Sequence, residues 1–320
     1  MAKMREILKA LIPDMLLSPA LFWVGVAMSV DFALCLILMM FDSRQVTGVN
    51  VWLKPSKFAI SSAMTILSLA WIASKISDWP RTKKWASRFF ALSMAIDVAI
   101  IDIQAGRGTT SHFNMATGLD RSAYLIMGFF IGVLWISMAV MTFALFRQTF
   151  ATAAWAWALR LGLLLSLLGA ASGGFMVRPT SDQMHASDRL HAGAHTVGAP
   201  DGGPGIAFAN WSTQHGDLRV AHFLGLHAVQ IIPLLGFWLV RRRGLDESQK
   251  LRMVFITVGT YLWIFALLIW QALRGQALLR PDAKTLATAG VLATVSVLAS
   301  VFVLYPSVSS GWLRILEVDA

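Results

Sequence analysis

Eight runs of apolar residues, each about the twenty residues that cross a bilayer core, limit this chain more than any other feature. They lie at Ser18–Phe41, Lys57–Ile76, Trp85–Ala105, Ser122–Phe146, Thr152–Val177, Leu218–Val240, Met253–Ala272 and Lys284–Tyr305. In hydrocarbon every backbone polar group needs a partner within the chain, so spanning runs are helices or closed barrels. Alanine, leucine and glycine content selects helices. The expected fold is an all-α membrane protein: a bundle of about eight transmembrane helices forming a single polytopic domain over 1–320, without internal repeats. Composition agrees, since 57% of the residues are hydrophobic and 14% charged, against about 25% charged in a soluble domain. A soluble enzyme and a disordered chain are excluded.

A net charge of +10 would suit a nucleic-acid partner if the basic residues formed one patch. They sit in short clusters between the runs, so the expected partner is the lipid bilayer and no nucleic acid. With the N-terminus inside, 15 Lys and Arg fall inside and 11 outside, with Arg160 inside a span. The inner set begins with Lys3, Arg5 and Lys9 and ends with Arg314. The long segment 178–217, rich in Gly, Ala, Pro and His, then lies outside with few basic residues, Arg189 among them, for its length. The expectation is N-in and C-in. No small-residue cleavage site follows the basic Met1–Lys9 stretch, so no cleaved signal peptide is expected. Cys35 is alone, which excludes an internal disulfide and a cysteine pair for metal or redox work. Gly128 with Gly132, and Gly169 with Gly173, have the spacing that lets helices approach closely, here expected within the monomer. Trp52, Lys54, Pro55 and Lys57 read as an anchor at headgroup depth, with binding of lipid phosphate by Lys54 and Lys57 as the alternative.

Ionisable groups inside spans are costly, and each is a functional hypothesis by default. Asp31 lies in span one, Asp97 and Asp102 in span three, and Arg219, His222 and His227 in span six. On a straight helix Arg219, His222, His227 and Gln230 fall within an arc of about 140°, one wet face, with Pro233 loosening the helix just below. Asp97 and Gln104 share a face of span three, with Arg107 close by. Beyond them Thr109, Thr110, Ser111, His112 and Asn114 form a short polar loop. These two regions are expected to face each other and line one cavity on the outer side.

Imidazole is the commonest protein ligand for haem iron, copper or zinc. His112, His222 and His227 are therefore the candidate metal ligands. His222 and His227 are five apart, which is poor spacing for one metal, and His112 would have to complete the set. His185, His191 and His195 in the long loop read as solvated. Asp97 and Asp102 are candidate proton relays. Gln104, Arg107, Asn114, Arg219 and Gln230 are candidate ligand-binding residues. No phosphate-binding loop, dinucleotide fingerprint, zinc-protease motif or nucleophile elbow is present.

The stretches Gln104–Asn114, Gly216–Gln230 and Trp270–Gln276 resemble an uncharacterised family of bacterial multi-span membrane proteins. The resemblance covers most of the chain, implies a bacterial inner membrane, and transfers no activity. Two functions fit these residues. One is a redox protein, possible as a membrane oxidoreductase, holding haem or a transition metal (copper, iron or zinc) with quinone as partner. The other is a proton-coupled carrier or a receptor for a small polar or anionic ligand.

Overall fold

The computed structural model describes residues 11–186 and 190–305. Lys3, Arg5, Lys9, Arg189 and Arg314, used above for orientation, lie outside them. In chain order the elements are α1 (Pro19–Phe41), β1 (Gln45–Val46), β2 (Val49–Asn50), α2 (Leu53–Ser74), α3 (Pro80–Gly106), α4 (Gly118–Arg147) and α5 (Ala153–Ala171). A 3-10 turn at Ser172–Phe175 follows, then α6 (Ser181–His185), β3 (Thr196–Val197), β4 (Gly216–Asp217), α7 (Leu218–Leu226), α8 (Ala228–Val240), α9 (Glu247–Leu273) and α10 (Ala283–Leu304). Helices α1 to α5, α9 and α10 are long and apolar enough to cross a membrane, seven in all, or eight if α7 and α8, bent by 42° at their junction, count as one span. Among the described residues sheet is confined to two antiparallel two-stranded ribbons. The multi-span all-α architecture is the one expected.

Helix starts follow local chemistry. Pro19 and Pro80 open α1 and α3, where a missing N–H costs nothing. Thr117, Thr152, Asp246 and Asp282 cap α4, α5, α9 and α10 by accepting a backbone N–H of the first turn. The helices pair as α1 on α2 and α3 on α4, while α5 packs on α4, α7, α8 and α9, and α10 leans on α9. Ile66, Leu69, Phe90, Met141, Leu145, Leu159 and Leu163 fill the interior. Leucine, valine and phenylalanine side chains line the outside of α1, α4 and α10, as lipid requires.

Glycines set the closest crossing. A Cβ on Gly169 of α5 would lie 2.1 Å from the backbone carbon of Gly225 in α7, so the two backbones touch there. Gly162 likewise faces Pro233, and Gly236 faces Ala158. Gly128 and Gly132 behave otherwise. A Cβ on either meets nothing within 4 Å, so this face of α4 points outward and is no packing seam within the described chain.

The two ends of the bundle differ. At one end connections are short. Gln148 receives the backbone N–H groups of Ser77 and Asp78, and Arg160 donates to the Gln148 carbonyl at 2.7 Å among Phe146, Phe150 and Trp157. The other end carries the β1–β2 hairpin and the loops 107–117, 176–217 and 274–282.

Candidate functional site

The long segment is a folded cover over the loop-rich end. Its stretch 190–192 pairs with 113–115 through Ala192 N–H to Phe113 O (3.0 Å) and Met115 N–H to Leu190 O (2.9 Å). Gly193 adopts φ +119, and a Cβ there would strike the Met176 carbonyl at 2.4 Å. The Asp201 carboxylate gathers the backbone N–H groups of His195 and Thr196 and the His195 ring at 2.8 Å. The Leu218 N–H then bonds the His195 carbonyl at 3.0 Å, fastening the cover to the start of α7. Asn114 holds the opposing loop, donating to Thr109 Oγ1 and the Thr110 carbonyl.

Beneath this cover α2 begins. Lys54 Nζ lies 3.1 Å from His112 Nδ1, and Lys57 Nζ donates to the Ala209 carbonyl at 2.9 Å. Arg219 grips Asp217, the cap of α7, at 2.6 Å and also reaches the Asn210 carbonyl. The three cations are close enough to repel one another. Arg219 has a carboxylate in contact; among the described residues neither lysine does. Both lysines stand at the start of a helix, where the dipole disfavours positive charge. The neighbouring imidazoles do not compensate. Burial, and then the Lys54 ammonium, push His112 well below the usual histidine range. Burial also lowers His195, against the pull of Asp201. For Asp201 burial works against the charge, but the contacts with His195 and the backbone N–H groups prevail and hold it low. Lys54, Lys57 and Arg219 thus outnumber Asp201 and Asp217, the carboxylates that act on them, and burial disfavours a charge on His112 and His195.

The residues expected to meet are dispersed. His222 stands at the same end of the bundle, its Nδ1 2.8 Å from the Gly169 carbonyl and 3.3 Å from Ser172 Oγ. His227 does not join it. The span breaks at His227, so the straight-helix arc does not hold, and the break falls six residues before Pro233. Its cause lies in other helices: Gly169 abuts Gly225, Tyr261 donates to the Leu224 carbonyl at 2.5 Å, and Ser166 donates to that of Leu226 at 2.7 Å. Side chains thereby satisfy carbonyls that a regular helix would have paired. His227 turns towards α2, with Nε2 3.1 Å from Ser61 Oγ and Nδ1 3.1 Å from Gln230, which approaches Thr65. Both its nitrogens are thus engaged.

Gln104 and Arg107 are occupied elsewhere. Both bond the Asp120 carboxylate of α4, Arg107 at 2.6 Å and Gln104 at 2.9 Å, and Thr117 completes the clamp. Helix α2 packs on both α3 and α8, and the side chains of Gln104 and Arg107 turn to Asp120 while that of His227 turns to Ser61. Asp97 is buried with neither oxygen partnered, and Ser93 one turn away is equally alone. Asp102 meets Asp31 and Cys35, their three ligand-type atoms within 4.8 Å of one another. That is the one such threesome among the described residues; His112, His222 and His227 do not form one.

Sequence reasoning missed Asp201, read His195 as solvated, and gave Lys54 and Lys57 only as a headgroup anchor or as ligands of a lipid phosphate. The lysine pair, three apart at a helix start, was the available signal, but it also fits a headgroup anchor. Compared with protein-family models, curated proteins and solved structures, the chain matches none of them.

Proposed function

We propose that this chain is a multi-span protein of a bacterial inner membrane that binds a small anion in the Lys54 pocket, as a receptor or a proton-coupled carrier. The supporting observation is Lys54: an ammonium enclosed by the cover, with Lys57 and Arg219 nearby and a neutral imidazole as its hydrogen-bond partner. A cation so placed gains most from an anion brought in from solution. The test is thermal unfolding of purified protein with added phosphate, sulfate, acetate or glycolate. At least one should raise the midpoint in the parent and lose most of that effect in Lys54→Met. No shift with any of them overturns the reading.

The loop-rich end is proposed to face the periplasm, with both termini cytoplasmic. In a Cys35→Ala background, Pro200→Cys should react with an impermeant thiol reagent in spheroplasts, and Arg242→Cys should not. The reverse pattern inverts the topology.

A second reading has one observation in its favour. Donation of His222 Nδ1–H to a backbone carbonyl is the anchoring common among metal-bound imidazoles. On it the site holds haem or a transition metal and exchanges electrons with quinone. The crowd of positive charge at Lys54, Lys57 and Arg219 opposes a bare metal cation, which ranks this reading second. A Soret band or stoichiometric copper or iron in purified protein would reverse the order.

A further inference from the structure

Hydrogen-bond partners decide which nitrogen of each pocket histidine carries the proton. Lys54 can only donate, so His112 Nδ1, 3.1 Å away, accepts and the ring proton sits on Nε2. The Gly169 carbonyl can only accept, so His222 Nδ1 donates across 2.8 Å and Nε2 keeps its lone pair. The Asp201 carboxylate takes the Nδ1 proton of His195 in the same way, at 2.8 Å. Among the described residues none of these three Nε2 atoms has a hydrogen-bond partner, and none is sealed away. The rings of His112 and His195 pack on the same Phe113 ring, at 6.0 and 4.9 Å between centroids, and His222 stands beside Gly173, whose carbonyl accepts from Met176, the residue that receives the Ala194 N–H. One turn of helix separates Leu218, bonded to the His195 carbonyl, from His222.

The pocket thus combines two kinds of group. Lys54, Lys57 and His112 Nε2–H present donors, two of them cationic. His222 Nε2 and His195 Nε2 present fixed acceptors. An anion that only accepts hydrogen bonds satisfies the first kind and leaves the second without a partner. From this juxtaposition, and resting on the anion reading above, we infer that the ligand is an oxyanion bearing its own hydrogen-bond donor. Hydrogen phosphate, a phosphate monoester and a hydroxycarboxylate have this character; sulfate and a simple carboxylate do not. A Cβ on Gly173 would stand 3.2 Å from His222 Cε1, so glycine there keeps the imidazole in place.

Matched pairs test it. Phosphate against sulfate and glycolate against acetate are titrated into purified protein at about pH 6, where phosphate keeps a proton. The donor-bearing member of at least one pair should bind about tenfold tighter or more, because only it partners the acceptors. His222→Phe should bring that ratio towards one. If both members of each pair bind equally, the inference falls and the anion reading stands; if none binds, both fall. Should His222→Phe fail to fold, the parent decides through 15N-histidine NMR. The His222 Nε2 resonance should be that of an unprotonated nitrogen, shifted by the preferred member and not by its partner. A protonated Nε2, or one indifferent to both, overturns the inference. Vesicles with and without phosphatidic acid separate the sources. Loss of phosphate binding in its presence makes the ligand a lipid phosphomonoester; undiminished binding makes it soluble, and either supports the class.

Discussion

The same substitution at two glycines should move stability in opposite directions. In Gly169→Ala the new methyl would stand 2.1 Å from Gly225 C, 2.4 Å from Leu226 N and 2.5 Å from Gly225 Cα. Carbon contacts settle at about 3.5–4.0 Å, so α5 and α7 must part by more than about 1 Å. Overpacking of this kind costs about 1–3 kcal/mol. Separation also loosens the bond from Ser166 to the Leu226 carbonyl, and a buried carbonyl left alone costs about 1–3 kcal/mol more. The expected loss is about 2–6 kcal/mol. In Gly128→Ala the methyl meets nothing within 4 Å, and relief of glycine's backbone entropy should gain about 0.5–1 kcal/mol. Denaturant unfolding in mild detergent micelles, followed by circular dichroism, measures both. If Gly169→Ala unfolds like the parent, or Gly128→Ala is as damaged as Gly169→Ala, the α5–α7 contact is not what sets this crossing.

Two further outcomes follow from named contacts. Tyr261→Phe removes one of two donors to the Leu224 carbonyl at the helix break, the His227 N–H at 3.1 Å being the other, and should cost about 0.5–1.5 kcal/mol; an unchanged unfolding midpoint would mean that the His227 N–H alone serves that carbonyl. Acid should weaken the cover. His112 is held below its ordinary value of 6.5, first by burial and then by Lys54, so below that pH the unfolded chain binds the extra proton and stability falls with pH. Its contribution is complete above the unfolded value and is lost as pH drops towards the folded one, with His195 adding the same sign. The midpoint should therefore be lower at about pH 5.5 than at about 7.5, with a smaller difference in His112→Gln. A parent more stable in acid would contradict the neutral, buried His112.

The spans were legible because hydrophobic length is a property of each segment alone. The first run read Ser18–Phe41 and the helix is Pro19–Phe41. Where the two disagree the reason is physical: α3 begins at Pro80, five residues before its apolar run, because Arg81, Lys83 and Lys84 continue the helix beyond the apolar stretch. Hydropathy reports lipid contact, and a helix does not stop where lipid does. The site was half legible. His112, His222 and Arg219 were read as one group and do stand at one end. His227 and Gln230 were drawn into it by a wheel that assumes a straight axis, and the residues that break the axis, Ser166, Gly169 and Tyr261, lie on other helices.

Lys54 and Lys57 show why the remainder was hidden. On their own segment they are indistinguishable from headgroup anchors, with tryptophan beside them at the right depth. Their direction is decided by residues more than fifty positions away in sequence: His112 receives one and Ala209 the other. Once covered, they break two local rules, cations at a helix start and like charges side by side. Sequences violate such rules where function requires it and consistency elsewhere can bear the cost. The same segment continues downward: Ser61, seven residues after Lys54 and so on nearly the same face of α2, bonds His227 at the broken span. Helix α2 therefore touches both the positive pocket and the break, and the polar residues that looked like one wet face of span six are two sites joined by a different helix.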